Sequence, residues 1–216
     1  MLAVITADVV YSSKAAPELL REAQQQILTL LKRYTKPGGS QGHGSTPQGD
    51  GELYRGDGLQ IALRNPQHAL NCALELGTAL ATLNIQLTLS LAIGAGQLGE
   101  SVGVSQGSVF VLSGRGLDSA SRGQWKFSSD DSQLSAEFGC AVDLIGFIIS
   151  QLTAKQAEVL HYWLTRQRCD QQSIASGLGM TRQNVSLHWR KAAGPHLARC
   201  LEQFEIRCKT YLERSQ

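Results

Sequence analysis

The run LAVITADVV at residues 2–10 is rich in Val and Ile and reads as a buried strand. A buried strand needs a sheet beside it and a second layer over it, which narrows the architectures open to this chain. The segments that follow supply both. APELLREAQQQILTLLKRY (16–34) has apolar residues at helical spacing, with Pro17 near its start. TKPGGSQGHGSTPQGDG (35–51) is dense in Gly, Ser and Pro and predicts a flexible surface loop, long enough to suggest a lid or a disordered excursion. ELYRGDGLQIAL (52–63) predicts two short strands joined at Gly56-Asp57-Gly58. NPQHALNCALELGTALATL (65–83) predicts an amphipathic helix, and IQLTLSLAIGAGQ (85–97) a strand running into glycines. GSVFVLSGRGLDSASR (107–122) gives a short apolar piece and then a helix or turn, QWKFSS (124–129) an edge strand, and SAEFGCAVDLIGFIIS (135–150) an apolar helix. The order predicts an α/β layer arrangement with one sheet and helices on one face.

From Leu152 the texture changes. LTAKQAEVLHYWLTRQ (152–167), QQSIASGLG (171–179), MTRQNVSLHWRKAAG (180–194) and a last segment from about residue 196 to 213 all predict helices, with Thr153 and Thr181 as N-caps. A boundary near 150–152 divides the chain into 1–150 and 151–216. Residues 1–150 carry ten Lys and Arg against thirteen Asp and Glu, a net of −3, while 151–216 carry ten against five, a net of +5. A basic tail on a mildly acidic body suggests a polyanionic partner for the tail, although a solvated basic helix face has the same charge.

The segment QQSIASGLGMTRQNVSLHW has the spacing of a helix-turn-helix. Ile174, Leu178, Val185 and Trp189 fall where two crossing helices bury side chains. Ala175 is small at the close approach, and Gly179 sits at the turn. With Val185 and Trp189 inward, the opposite face carries Arg182, Gln183, Ser186 and Arg190, and Asn184, His188 and Lys191 flank it. Thr181 and the helix N-terminus are expected to meet the phosphate backbone. These side chains can hydrogen-bond base edges or phosphates. A protein-binding helical module is the competing reading. The tail resembles sigma-factor region-4-type and related helix-turn-helix domains, in which the third helix enters the major groove.

Asp8 interrupts an apolar strand, and a lone buried carboxylate costs several kcal/mol unless it is paired or neutralised. One carboxylate at the end of a strand and another, Asp57, at a hairpin tip make a natural Mg²⁺ pair. Asp57 flanked by glycines is also an ordinary turn residue. The segments VITADVVYSSK, YRGDGLQIAL, LSLAIGAGQL and GSVFVLSGRGLD, in this order, resemble the SatD-type family of bacterial proteins, which pairs such a domain with a C-terminal helix-turn-helix. Residues 1–150 are also similar, more distantly, to class III nucleotidyl cyclase domains. That resemblance implies a ferredoxin-like, cyclase-like sheet, metal binding by Asp8 and Asp57, a phosphate-facing Arg115, and a homodimer. It departs at Val111, where cyclases place a catalytic Asn, and at Leu53, where they place a base-reading Lys or Glu. Ser12, Ser13 and Lys14 after Asp8 are candidates for phosphate contact, or for a plain strand-to-helix cap.

Cys72, Cys140, Cys169, Cys200 and Cys208 show no paired spacing, which argues against a disulfide framework and fits a reducing cytoplasm. Cys72 reads as a small core residue. Met1–Val10, without a basic start and reaching Asp8 early, is not expected to act as a signal peptide, and no apolar run is expected to span a membrane. GAGQLG (94–99) matches the dinucleotide-binding spacing, with Asp118 about 20 residues beyond, but the turn-like ESVGVSQGS follows where a helix is required. His43, His68, His161, His188 and His196 form no ligand spacing. The expected function is a cytoplasmic DNA-binding regulator whose N-terminal domain senses a nucleotide-type ligand with Mg²⁺. The alternative is a Mg²⁺-dependent nucleotide-processing enzyme with an accessory helix-turn-helix.

Overall fold

The computed structural model describes residues 1–10, 16–35, 49–54 and 58–214. Ser12, Ser13, Lys14 and Asp57 lie outside the described residues, as does most of the segment 35–51. The strands are β1 (Leu2–Val9), β2 (Gly49–Tyr54), β3 (Gly58–Leu63), β4 (Leu87–Gly94) and β5 (Trp125–Ser129). The helices are α1 (Pro17–Thr35), α2 (Ala69–Ala81), α3 (Ser108–Asp118), α4 (Ser132–Ser150), α5 (Ala154–Thr165), α6 (Gln171–Leu178), α7 (Arg182–Lys191) and α8 (Gly194–Arg214). The chain is therefore a mixed α/β protein with a five-stranded mixed sheet.

The sheet runs β2-β3-β1-β4-β5. β1 is central and antiparallel to both neighbours, with Ile5 opposite Ile61 on one side and Leu91 on the other. β5 joins the far edge parallel to β4. Side chains of β1 alternate between two faces. Ala3, Ile5, Ala7 and Val9 enter a large core with Ile27 and Leu31 of α1 and Leu70 and Leu74 of α2. Ile5 is fully buried, and a burial of that kind contributes about 1.5–3 kcal/mol.

Helices cover both faces of the sheet, not one as the sequence suggests. Leu2 and Val4 form a second, smaller core with Ala62, Ala92, Val102 and Val109 of α3. α3 is held there by small and polar contacts. Ser113 Oγ lies 2.7 Å from Thr6 Oγ1, and Gly116 packs directly on Ser90 Oγ, leaving no room for a side chain. An amphipathic pattern does not reveal such a helix, since its sheet-facing side is Ser and Gly while Val111 is exposed.

β2 also begins earlier than expected, inside the Gly-rich segment. Gly49 and Gly51 are strand residues because their neighbours leave no space: a Cβ on Gly51 would sit 2.6 Å from Leu31 Cδ2. Asp50 is tied down by Val102 N at 2.7 Å. At the end of β1, Asp8 is exposed and pairs across the sheet with Gly58 and Thr88. The argument from a buried lone carboxylate therefore does not hold for Asp8. GAGQLG ends β4 and enters a loop bridged at Gln97 and Gln106, with no helix starting at Gly99.

α4 packs Phe138, Val142, Ile145 and Ile149 inward, and Gly146 gives space to Trp125, whose Cγ lies 2.5 Å from where a Cβ would be. Contrary to the sequence expectation, this 19-residue helix is long and apolar enough, by length and composition, to cross a membrane. Its core-facing side is packed and Glu137 pairs with Arg207 at 2.7 Å, while Leu144 and Phe147 on the other side are exposed.

The chain passes from α4 to α5 at Gln151–Thr153. The helices beyond that point are docked on the sheet layer. α5 packs along α2, and α8 packs on α4 and on a 3₁₀ turn at Pro66–His68. Phe127, Phe138 and Phe204 form an edge-to-face triangle with centroids 5.0–6.1 Å apart, joining β5, α4 and α8. One continuous core runs from Ile5 to Leu160 and Phe204.

Candidate nucleic-acid interface

The helical tail is assembled from well-capped short helices. Thr153 and Gln156 form a reciprocal capping box at the start of α5. Asp170 caps α6 by accepting from Ser173 N at 2.8 Å, and these amide bonds, with Arg182 nearby, hold its carboxyl below the ordinary range. α6 ends at Gly179, whose φ of 62° lies in the left-handed region. That conformation turns the chain within three residues, and Thr181 then caps α7 by accepting from Asn184 N at 3.2 Å.

The packing behind α7 follows from its sequence. Val185 is fully buried beside Ile174 and Ala175 of α6 and Leu160 of α5. Trp189 stacks edge-on against Trp163 at 4.9 Å. Burying Val185 fixes the helix rotation and turns Arg182, Gln183, Asn184, Arg190 and Lys191 to solvent. Thr181 is exposed at the N-cap, and Ser186 and His188 are half-buried at the edges. The solvent side of α7 thus has three cations, two carboxamides and no carboxylate. Arg can bond the guanine edge in pairs, and Asn or Gln the adenine edge. Leu187, 41% exposed, lies on α7 as well. A lone Leu between polar neighbours carries no sequence signal of its exposure. An apolar side chain there can touch a thymine methyl.

The candidate nucleotide residues are only partly described. Asp8 is at the exposed end of β1, and Asp57, Ser12, Ser13 and Lys14 lie outside the described residues. α3 runs the same way as β1: Val109 lies near Gly96 and the Leu2 end, and Ser113 lies at Thr6. Arg115, exposed, is therefore placed toward the Asp8 end. Val111, at the cyclase Asn position, is half exposed. Among the described residues no group of three His, Cys, Asp or Glu side chains could hold a metal ion.

A second polar cluster joins α1, α2 and α5. Glu75, only 3% exposed, sits in the apolar helix α2. It accepts from Arg33 at 2.7 Å, Asn71 at 2.8 Å and Tyr34 at 3.0 Å. Burial raises its pKa, opposed chiefly by Arg33. His161 of α5 meets Thr78 of α2 at 3.2 Å, and burial, then Arg33, holds its pKa low. The one clue in the sequence is a lone charge inside NCALELGTALA. No family model matches the chain, and no curated protein matches it.

Proposed function

We propose that this chain is a cytoplasmic DNA-binding regulator that docks α7, as the second helix of a helix-turn-helix, in the major groove. The observation that carries this reading is the face of α7: Arg182, Gln183, Asn184, Arg190 and Lys191 exposed together behind a buried Val185. The +5 charge of residues 151–216 supports it, since phosphate contacts supply most non-specific affinity. So does the left-handed turn at Gly179, which brings α7 across α6. Gln183 and Ser186 read base edges with Asn184 assisting, Thr181, Arg190 and Lys191 hold the backbone, and Arg182 stands where it reaches a base edge or a phosphate. Binding is by a homodimer, each copy meeting one half-site. Enriching duplexes from a random pool on the full chain, followed by mobility shifts, tests the reading. Enrichment of a defined sequence supports it; recovery of an unbiased pool at all salts refutes it.

The sensing half of the proposal places a nucleotide with Mg²⁺ at the Asp8 end of the sheet, with Arg115 toward the phosphates. Its support among the described residues is the exposed carboxylate of Asp8 and the direction of α3. Titrating each nucleoside triphosphate with Mg²⁺ into the chain and into Asp8→Ala tests it. Binding that survives the substitution unchanged removes Asp8 from the site, and release of pyrophosphate would favour the enzymatic alternative.

A further inference from the structure

A cavity of about 420 Å³ opens between α1, α2 and α5. Its size is that of a small-molecule site. Neither Asp8 nor any residue of α7 lines it, so nothing proposed above uses it. α1 lines it with a polar stripe that includes Glu22, Gln26, Thr29 and Arg33, while the apolar side of the same helix faces the sheet. α2 contributes Glu75, and α5 contributes His161.

This cavity holds an orphaned acceptor and an excess of formal negative charge. Gln26 Oε1 is buried with no partner, and an orphaned buried acceptor is destabilising until a donor reaches it. Glu75 takes three donors on its two oxygens, the set that suits an ionised carboxylate, and Oε2 receives only the Arg33 bond. The Thr78 hydroxyl donates to Leu74 O at 2.7 Å. The neutral tautomer that donates from Nδ1 fits this contact and the hydrogen bond from the ring to the Glu75 backbone, and it leaves Nε2 as the acceptor. Two carboxylates, Glu22 and Glu75, stand against one guanidinium, Arg33. The formal charge of the lining is therefore −1, with Arg33 keeping N–H donors beyond the one it gives to Glu75.

We propose that this cavity binds a small organic cation rich in hydrogen-bond donors, a short aliphatic amine or guanidine, whose head group bonds Gln26 Oε1, the Glu22 carboxylate and His161 Nε2. The ligand satisfies the orphaned oxygen and neutralises the excess charge. Because the walls come from α1 and α2 on one side and α5 on the other, an occupant also ties the helical tail to the sheet layer. The site stands whatever the tail binds.

Calorimetric titration of the full chain with agmatine, which carries both an amine and a guanidine, tests the assignment. Pentane-1,5-diol serves as the neutral probe and glutarate as the anionic one. One agmatine per chain is expected, with the diol and glutarate silent. Gln26→Leu removes the buried acceptor and Glu22→Gln the exposed charge, and each is expected to raise Kd about tenfold or more. Glu22 is exposed, so its variant folds and decides the matter even if Gln26→Leu does not. Agmatine that gives no heat, binds Glu22→Gln as tightly as the parent, or binds more weakly than glutarate overturns the proposal.

Discussion

Replacing Arg182, Arg190 and Lys191 together by Ala tests the α7 face by a quantity that follows from its charge. Each phosphate neutralised by a cation contributes about −0.9 to the slope of log Kobs against log salt. Three cations on phosphates account for a slope of about −2.7, or roughly forty-fold in affinity between 50 and 200 mM salt. The parent and the triple variant are compared by fluorescence anisotropy on one labelled duplex across that range. The expected result is a shallower slope in the variant, by about 2.7 if all three meet phosphates and by about 1.8 if Arg182 is on a base instead. The second case has its own signature. Arg182→Ala alone then costs about 1–3 kcal/mol on the enriched duplex and little on random DNA. All three side chains are exposed, so the thermal transition should stay within about 0.5 kcal/mol of the parent. An unchanged slope in a folded triple variant refutes the assignment of α7 to DNA, whatever the residual affinity.

Gly116→Ala forces a methyl into Ser90 Oγ, directly under α3, and is expected to cost about 1–3 kcal/mol in denaturant unfolding. Val185→Ala empties the space that sets the rotation of α7 and should cost about 2 kcal/mol while weakening DNA binding without touching a charge. Glu75→Gln keeps the acceptor for Tyr34 and Asn71. Because burial raises the Glu75 pKa above its ordinary 4.5, the parent loses stability relative to this variant as pH rises from 4.5 through the folded value, seen as a growing gap in Tm. His161 resists charging in the folded state, so the parent loses stability as pH falls below 6.5. His161→Gln should shrink that acid-side loss, with a remainder from His68, also held low by burial.

Much of the fold is legible because strands and helices with apolar stripes announce their period. β1, β4, α1 and α2 owe their cores to that pattern. α3 does not announce its side, because a helix lying on Thr6 and Ser90 needs small residues there and can leave Val111 in solvent. β2 is hidden for a related reason: glycines chosen for close approach to Leu31 and Ala62 look like loop glycines in a sequence. The α7 face is readable because Val185 and Trp189, four apart, fix which side is out. The Glu75 cluster is not, because Arg33 and His161 lie 42 and 86 positions away and nothing local names them as partners.

Docking the tail on α2 restricts how any signal can reach α7. A ligand shifts a conformational equilibrium only by the difference in its affinity for the two states. Since α5 is packed on α2 while α7 is packed on α5 and α6, a signal from the sheet layer must move α5 relative to α2 or release α8 from the Phe127–Phe138–Phe204 triangle. The second route breaks a large aromatic contact, and truncating one such ring costs about 3–5 kcal/mol. The first disturbs a polar seam, where Thr78 and His161 meet at 3.2 Å at a cavity that an unpartnered Gln26 oxygen also lines. The α2–α5 seam is therefore the weaker joint, and a cation seated in its cavity would favour the docked state by whatever affinity it loses when α5 moves away.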